Sequence, residues 1–170
     1  SYGIESGDQR ILDAMNKGED LGRVEQAVCW SREAGLRTKG FFMIGFPGET
    51  RDSLRLTREL ALKLPLDDIS VMQLTPFPGT ALYDSAAEHG ALDRDWRRMN
   101  TLSTVFVPHG FTREELENAR AEMLRAFYFR PSLLIGKGMD LISRPRLLRH
   151  MFKALLVLLK MSRKGKPHGG

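Results

Sequence analysis

Cysteine is nearly absent from the chain, which contains a single one, Cys29, among its 170 residues. One cysteine excludes both an internal disulfide framework and a metal site built from several thiolates of this chain, and it fits a reducing, cytoplasmic setting. Cys29 lies beside Trp30 in a predicted helix, so we interpret it as a core residue rather than a metal ligand. His150 and His168 are isolated in the sequence, and no metal-binding residue is predicted.

Long apolar segments and a leader sequence are also lacking. The apolar run 154–159 is six residues long, whereas a helix that crosses a bilayer needs about 20. No basic stretch followed by a short apolar core marks a signal peptide at the start. The chain begins Ser1-Tyr2-Gly3, which is typical of a strand already under way. We therefore expect a fragment whose N-terminal part is absent.

Acidic residues are missing from the last 30 positions, and this absence divides the chain by charge. The net charge is +5, but eight of the 26 Lys and Arg residues lie after residue 140, which leaves 18 basic and 21 acidic groups, a net charge of −3, before it. The basic tail, residues 146–160, could lie on the anionic inner face of a membrane or pack on another domain. Nucleic-acid binding is not predicted, because the basic residues lack interleaved aromatic residues.

Strand-like and helix-like segments alternate over the first 90 residues. Apolar residues at helical spacing predict four helices, over 8–15, 21–34, 51–64 and 81–89. Short apolar runs predict three strands, at the start of the chain, over 41–46 and over 69–74. Because residues 41–46 are almost continuously apolar, we expect that strand to be buried on both faces, as in a parallel sheet. The alternation implies βαβ units and hence an α/β fold.

A helical pattern replaces the alternation after residue 110. Thr112 starts a helix with Glu115 in the capping-box position, and two further helical stretches are predicted, over 132–142 and 146–161. We therefore divide the chain into an α/β part, residues 1–110, and a helical extension with a basic tail, residues 111–170.

Turn residues follow the second predicted strand in the segment GFPGET. Gly45 and Gly48 lack a Cβ, so a flat ligand could approach the backbone closely, while Pro47 stiffens the turn. Glu49 falls near the start of the next helix. Taken alone, the segment is better explained as a tight strand-to-helix connection.

Polar residues also follow the other two predicted strands. Glu5 and Ser6 pair a carboxylate with a hydroxyl, which suits the diol of a sugar, but Ser6 could equally act in the cap of a helix. Gln73 and Thr75 precede a Pro-Gly turn, and their role is open. The carboxyl ends of parallel strands meet at one edge of the sheet, where α/β folds place their ligand sites.

Three segments occur in order along the chain: GIESGDQRILDAMNKG, GFFMIGFPGET and VMQLTPFPGTALYD. Together they resemble the later half of the barrel of a radical SAM (S-adenosylmethionine) enzyme. The resemblance covers roughly residues 1–84. It implies the later half of a partial (β/α)6, TIM-like barrel, followed here by a helical region. It also implies the cofactors of that family, S-adenosylmethionine and a [4Fe-4S] cluster that reductively cleaves it to a 5′-deoxyadenosyl radical.

The resemblance implies binding roles for residues at matching positions, and it implies no catalytic residue. Glu5 and Ser6 match the fourth-strand motif that contacts the ribose and the methionine portion of the cofactor. Lys17 matches a helix residue that reaches the methionine carboxylate. Gln73 and Thr75 match the sixth-strand segment that lines the site.

The turn from Gly45 through Phe46 to Glu49 matches the fifth-strand turn beside the adenine. It departs from the family's usual spacing of Gly, Ile, Gly and Glu. A larger departure is the missing C-x3-C-x2-C motif that holds the cluster. The cluster ligands are therefore expected outside this chain, in a missing N-terminal part of the same protein, and the chain is not expected to act alone.

The later segment ENARAEMLRAFYFRP resembles the region after the barrel in cobalamin-binding radical SAM proteins, such as anaerobic Mg-protoporphyrin monomethyl ester cyclase and related methyltransferases. This implies a cobalamin domain outside the chain, and methyl transfer or oxidative cyclisation of a small-molecule substrate. Phe127 and Phe129 within the segment are predicted to be core aromatic residues that close the open end of the barrel.

Two other functions remain open at this point. A radical SAM methylthiotransferase carries similar GFPGET and PGT turns, but it would normally end in a small β-rich RNA-binding domain rather than in helices. The alternative without catalysis is a basic module that docks on a membrane or a partner and whose barrel half is vestigial.

Overall fold

The computed structural model describes residues 1–131 and 133. A first compact unit spans Ser1–Tyr128, and a second begins at Phe129. The first unit contains, in chain order, β1 Tyr2–Glu5, α1 Gln9–Ala14, α2 Leu21–Glu33, β2 Lys39–Ile44, α3 Arg51–Lys63, β3 Asp68–Gln73, α4 Ala81–Asp84, α5 Ala86–His89, β4 Gly90–Leu92, a 3-10 turn Trp96–Arg98, β5 Phe106–Pro108 and α6 Arg113–Tyr128.

The compact unit therefore includes α6, and the predicted domain boundary at residue 110 stays a prediction. The predicted helix over 132–142, apart from residue 133, lies outside the described residues, as do the helix over 146–161 and the basic tail. Within residues 1–131 and 133, no helix combines the length and the apolarity that a membrane crossing requires.

The strands β1, β2 and β3 form a parallel sheet in that order. Tyr2 pairs with Gly40, and Lys39 pairs with Asp68. Parallel neighbours need crossover connections, and α1 with α2 and then α3 supply them. The predicted α/β fold class with a parallel sheet is confirmed.

Burial alternates along the strands of this sheet. On β2, Phe42 and Ile44 are buried, whereas Phe41 and Met43 are half-buried. Successive strand residues point to opposite faces, and α3 and α6 pack against β2, β3 and each other. The expectation that residues 41–46 are buried on both faces therefore holds for one face only in the part of the chain that the structure describes.

The helix starts follow the expected capping chemistry. Thr50 Oγ1 accepts a hydrogen bond from the Ser53 N–H, and the Ser53 hydroxyl accepts one from the Thr50 N–H. Thr112 and Glu115 form the predicted capping box at the start of α6. Asp8 caps α1 by accepting from the Arg10 N–H.

Residues 81–89 form two short helices instead of the single helix that the sequence predicts, and two short strands follow. α4 and α5 are separate four-residue helices on either side of Ser85, and β4 then pairs antiparallel with β5. Three-residue strands have too few positions to show a period, so the sequence pattern does not predict them. A Cβ on Gly90 would lie 2.1 Å from the Val107 carbonyl oxygen, so only glycine fits where β4 begins.

The core prediction for Cys29 is wrong, because this residue is exposed. α2 buries Val24 and Val28, which are four positions apart and share one face of the helix. Cys29 is one position further, about 100° around the helix. It therefore lies on the solvent side with Trp30, which is 60% exposed.

The two aromatic residues predicted to close the barrel have different surroundings. Phe127 is fully buried and contacts the Tyr128 ring edge-to-face, so its core prediction is confirmed. Phe129 is 71% exposed, so its core prediction is wrong. α6 ends at Tyr128, so Phe129 lies beyond the helix whose face buries Phe127.

Candidate functional site

The predicted site residues collect where the three parallel strands end, at one edge of the sheet. Glu5 ends β1, Gly45 follows β2, and Gln73 ends β3. In the strand register, Glu5 pairs with Phe42 and Gln73 with Ile44. Because α/β sheets bind ligands at the carboxyl edge of the strands, we treat this edge as the candidate site and call it the strand-end site.

Glu5 presents an unpartnered carboxylate oxygen in the strand-end site. Its backbone is left-handed, with φ of 63°, a conformation that costs a non-glycine residue about 1–3 kcal/mol. The carboxylate lies close over the backbone, since a Cβ on Gly3 would be 2.8 Å from Glu5 Oε1. Oε2 is buried and has no hydrogen-bond partner among the described residues. This oxygen therefore lacks the donor that a buried carboxylate oxygen normally has.

Lys17 reaches the same carboxylate from the end of α1. The Lys17 N–H donates to the Leu12 carbonyl at 3.0 Å, and Asn16 before it is left-handed, with φ of 53°. This tight exit from the helix brings the Lys17 ammonium to 3.5 Å from Glu5 Oε1. The contact is an ion pair longer than a normal hydrogen bond, so the ammonium keeps donors for an anionic group.

Ser6 is fully buried, and protein groups already occupy its hydroxyl. Ser6 Oγ accepts from the Asp8 N–H at 3.1 Å and lies 3.2 Å from Thr57 Oγ1 of α3. The contacts support the explanation that Ser6 acts in the helix cap, which the sequence left open. A direct contact between Ser6 and a cofactor stays a prediction.

The turn after β2 has the geometry of a type II turn. The Glu49 N–H donates to the Phe46 carbonyl at 3.0 Å, Pro47 occupies the second position, and Gly48 has φ of 82° in the third. Gly45 is also left-handed, with φ of 90°, so both glycines are needed. Phe46 packs against the apolar cluster centred on Leu74, Ala86 and Phe106, which holds the turn against the segment after β3.

Glu49 closes this turn with its side chain. Glu49 Oε2 accepts from the Gly45 N–H at 2.5 Å, while Oε1 has no hydrogen-bond partner among the described residues. Burial raises the pKa of the Glu49 carboxyl to about 7, against the opposing effect of hydrogen bonds from the Gly45 and Phe46 backbone. The nearby Asp8 carboxylate raises it further. The Glu49 carboxyl therefore titrates near neutral pH.

Gln73 and Thr75 connect the end of β3 to α6 and to the loop before β5. Gln73 is 2% exposed, and its Nε2 donates to the Leu116 carbonyl at 3.4 Å. Its Oε1 has no hydrogen-bond partner within the described residues. Thr75 Oγ1 donates to the Asn100 carbonyl at 3.1 Å. Both residues thus have structural contacts, and only Gln73 keeps a buried acceptor without a donor.

The three strand ends share one chemical property. Each carries a buried side-chain oxygen without a partner in the described part of the chain, namely Glu5 Oε2, Glu49 Oε1 and Gln73 Oε1. Glu5 Oε2 and Gln73 Oε1 are acceptors, and Glu49 Oε1 is an acceptor when its carboxyl is ionised. Buried acceptors are normally paired in folded proteins. An edge with several unpaired acceptors is suited to a ligand that brings donors or positive charge.

The site residue that sequence reasoning missed is Thr57, on the second turn of α3. Its hydroxyl contacts both Ser6 and Gly7. A threonine inside a helical pattern carries no sequence signal for such a contact, because only the packing of α3 on the turn after β1 creates it. No group of three or more His, Cys, Asp or Glu residues in the described ranges could hold a metal ion.

No protein-family model matches the chain, but individual proteins do. It is 36% identical over 135 residues to an uncharacterized methyltransferase of Pyrococcus horikoshii, covering 79% of this chain and 29% of the relative. It is 28% identical over 133 residues to an anaerobic magnesium-protoporphyrin IX monomethyl ester cyclase of Cereibacter sphaeroides, covering 78% and 22%.

A third relative is a tRNA-2-methylthio-N(6)-dimethylallyladenosine synthase of Paracoccus denitrificans, 31% identical over 91 residues, which cover 52% of this chain and 20% of that protein. The chain spans less than a third of the length of each of these three relatives. They confirm the resemblance that the three strand-end segments carry: the chain belongs to the radical SAM superfamily.

Proposed function

We propose that this chain binds S-adenosylmethionine as the later half of a partial (β/α)6 barrel in a radical SAM enzyme. The observation that carries the proposal is Glu5 Oε2, a buried carboxylate oxygen without a partner at the end of β1. S-adenosylmethionine offers ribose hydroxyls, an amino group, an adenine amine and a positive sulfonium to such an edge. The acceptor on Gln73, and Glu49 Oε1 when its carboxyl is ionised, add to the same preference.

Glu5 and Lys17 fit the two ends of the ribose and methionine portion. A carboxylate can accept two hydrogen bonds in a fork, so Glu5 would hold the ribose diol through Oε2 and the outer side of Oε1. The Lys17 ammonium would face the methionine carboxylate, and its loose contact with Glu5 leaves donors for that purpose. Glu5 would thus bind the ribose diol, and Lys17 would bind the carboxylate of the methionine portion.

The Gly45–Glu49 turn would lie beside the adenine ring. Gly48 is exposed and left-handed, so it offers a peptide surface without a Cβ, and a planar base can pack on such a surface. In this proposal Glu49 acts on the turn itself, because its Oε2 accepts from the Gly45 N–H. Gln73 Oε1 also lies beside Gly45, since it would be 3.9 Å from a Cβ on that residue.

The [4Fe-4S] cluster does not fit the residues of this chain. In this superfamily the cluster supplies the electron that cleaves S-adenosylmethionine, and cysteine thiolates hold it. The chain has Cys29 alone, and that residue is exposed on α2. We therefore place the cluster ligands, and any cobalamin, outside this chain.

The proposed reaction is methyl transfer or oxidative cyclisation of a small-molecule substrate. The methyltransferase and cyclase relatives match 135 and 133 residues, whereas the tRNA-modifying synthase matches 91. The longer matches favour methyl transfer or cyclisation over methylthio transfer. The helical continuation of the chain into α6 supports the same choice.

The proposal is tested by Glu5→Gln in the complete, anaerobically reconstituted protein. The change keeps the side-chain shape but removes the charge, and a charge-assisted hydrogen bond contributes about 1.5–3 kcal/mol. Affinity for S-adenosylmethionine, measured by calorimetry, should fall about tenfold to a hundredfold, while iron and sulfide content stays unchanged. The control is Cys29→Ala, at an exposed residue on α2. Normal binding by Glu5→Gln together with a clearly lower melting temperature would assign Glu5 a structural role instead.

A further inference from the structure

The turn after β1 is bonded to a helix that is distant in the sequence. The Gly7 N–H donates to Thr57 Oγ1 at 2.9 Å, and Ser6 Oγ lies 3.2 Å from the same atom. Ser6 and Thr57 are fully buried. One hydroxyl of α3 thus contacts the two residues that directly follow Glu5.

The protons in this cluster have a single consistent arrangement. Thr57 Oγ1 donates its only proton to the Ser53 carbonyl at 2.9 Å, since a carbonyl can only accept. Ser6 must then donate to Thr57, and Ser6 Oγ accepts from the Asp8 N–H. Every donor from Gly7, Asp8 and the two hydroxyls is used. The chain of hydrogen bonds runs from the turn into the helix backbone.

Backbone packing at Gly7 shows that the turn has no room to shift toward α3. A Cβ on Gly7 would lie 2.5 Å from the Leu56 carbonyl oxygen and 2.7 Å from Thr57 Cα. The turn therefore rests directly on the helix backbone, and the Thr57 hydroxyl is what bonds it there. Glu5, immediately before this attachment, has the strained left-handed φ of 63°.

We infer that Thr57 is a positioning residue, which keeps Glu5 in its left-handed conformation through Ser6 and Gly7. Residues in strained backbone conformations persist only when surrounding contacts enforce them. The Ser6 N–H donates to the Ile4 carbonyl at 2.8 Å across Glu5, and the Thr57 cluster is the long-range contact that Ser6 and Gly7 add to this local bond. Without the hydroxyl, Glu5 can relax toward an extended backbone, and its Oε2 moves out of the strand-end site. The inference rests on the proposed role of Glu5 in binding S-adenosylmethionine.

The test is Thr57→Val in the complete, anaerobically reconstituted protein, with Thr57→Ser beside it. Valine has the shape of threonine but cannot accept from Gly7 and Ser6, whereas serine keeps the hydroxyl. Affinity for S-adenosylmethionine, measured by calorimetry, should fall at least about fivefold in Thr57→Val, as expected for the release of backbone strain at Glu5, and should return in Thr57→Ser. Thr38→Val is the matched control, because Thr38 is buried at the opposite edge of the sheet.

A double-mutant cycle separates positioning from general stability. If Thr57 acts through Glu5, Thr57→Val should cost little further affinity in a Glu5→Gln background, although it lowers the melting temperature in both backgrounds. Two outcomes would overturn the inference and leave the proposed function intact. In the first, Thr57→Val costs the same affinity in both backgrounds. In the second, Thr57→Val binds the cofactor normally although Glu5→Gln binds it weakly. Normal affinity in Glu5→Gln alone would instead refute the role of Glu5 on which the inference rests.

Discussion

Glu49 shows how a single buried carboxyl can make the strand-end site sensitive to pH. Only one of its oxygens is paired, with the Gly45 N–H, and burial raises its pKa to about 7 from the ordinary 4.5. A carboxyl with a raised pKa in the folded state stabilises the fold most below its unfolded pKa. That contribution is lost as the pH rises from about 4.5 through 7, and it amounts to about 3 kcal/mol in total.

We predict that Glu49→Gln flattens the pH dependence of stability. Urea denaturation measures the free energy of unfolding of both proteins at pH 5 and at pH 8. Between these two pH values, this free energy should fall by up to about 3 kcal/mol more in the unaltered chain than in the variant. Glutamine can still accept from the Gly45 N–H but has no proton to lose. Parallel pH profiles for the two proteins would show that Glu49 does not titrate in this range.

At the scale of single elements, α6 is bonded to the sheet along its length. Arg120 Nε donates to the Val71 carbonyl of β3 at 2.8 Å. The Tyr128 hydroxyl, on the last residue of the helix, donates to the Asp68 carboxylate. Lys39 Nζ lies 3.0 Å from the other oxygen of that carboxylate. The Tyr128 and Lys39 contacts lie where β2 and β3 begin, at the edge opposite the strand-end site, so we assign them to stability.

Tyr128→Phe should destabilise the chain without changing ligand binding. It removes the contacts of the Tyr128 hydroxyl with the Asp68 carboxylate and with the Ile69 carbonyl, and the loss of such hydrogen bonding costs about 1–2 kcal/mol of unfolding free energy. Urea denaturation measures the loss. Tyr83→Phe is the control, since the Tyr83 hydroxyl makes no hydrogen bond in the described part of the chain. Equal stability of the two variants would mean that the Tyr128 hydroxyl does not anchor α6.

The helices and strands with strong local signals could be predicted from the sequence. Thr50 and Thr112 mark helix starts through their own hydroxyls. The apolar run of β2 is typical of a buried strand. The β4–β5 pair could not be predicted in this way, because its strands are held by each other across residues 93–105 rather than by a local pattern. The exposure of Cys29 depends on which face of α2 meets the core. Residues 27–30 are all apolar, so the sequence does not indicate which of them face the core.

At the scale of the whole molecule, the chain alone should bind no stoichiometric [4Fe-4S] cluster. A cluster of this kind is held by several thiolates, and the chain has one cysteine. We predict that the chain, expressed by itself and reconstituted anaerobically, contains far less than one cluster per molecule by iron and sulfide analysis. About one full cluster per chain would contradict the proposal that the ligands lie outside it.

The sequence by itself determined the α/β class, the parallel strands and the superfamily, because strand periods, turn glycines and three long motifs are local properties of the chain. It also placed Glu5, Gly45 and Gln73 at strand ends. Only the tertiary structure decided which of their oxygens remain unpaired, that Glu49 bonds its own turn, and that Thr57 of α3 attaches the turn after Glu5. Those features depend on burial and on contacts between residues about 50 positions apart, and no local pattern encodes them.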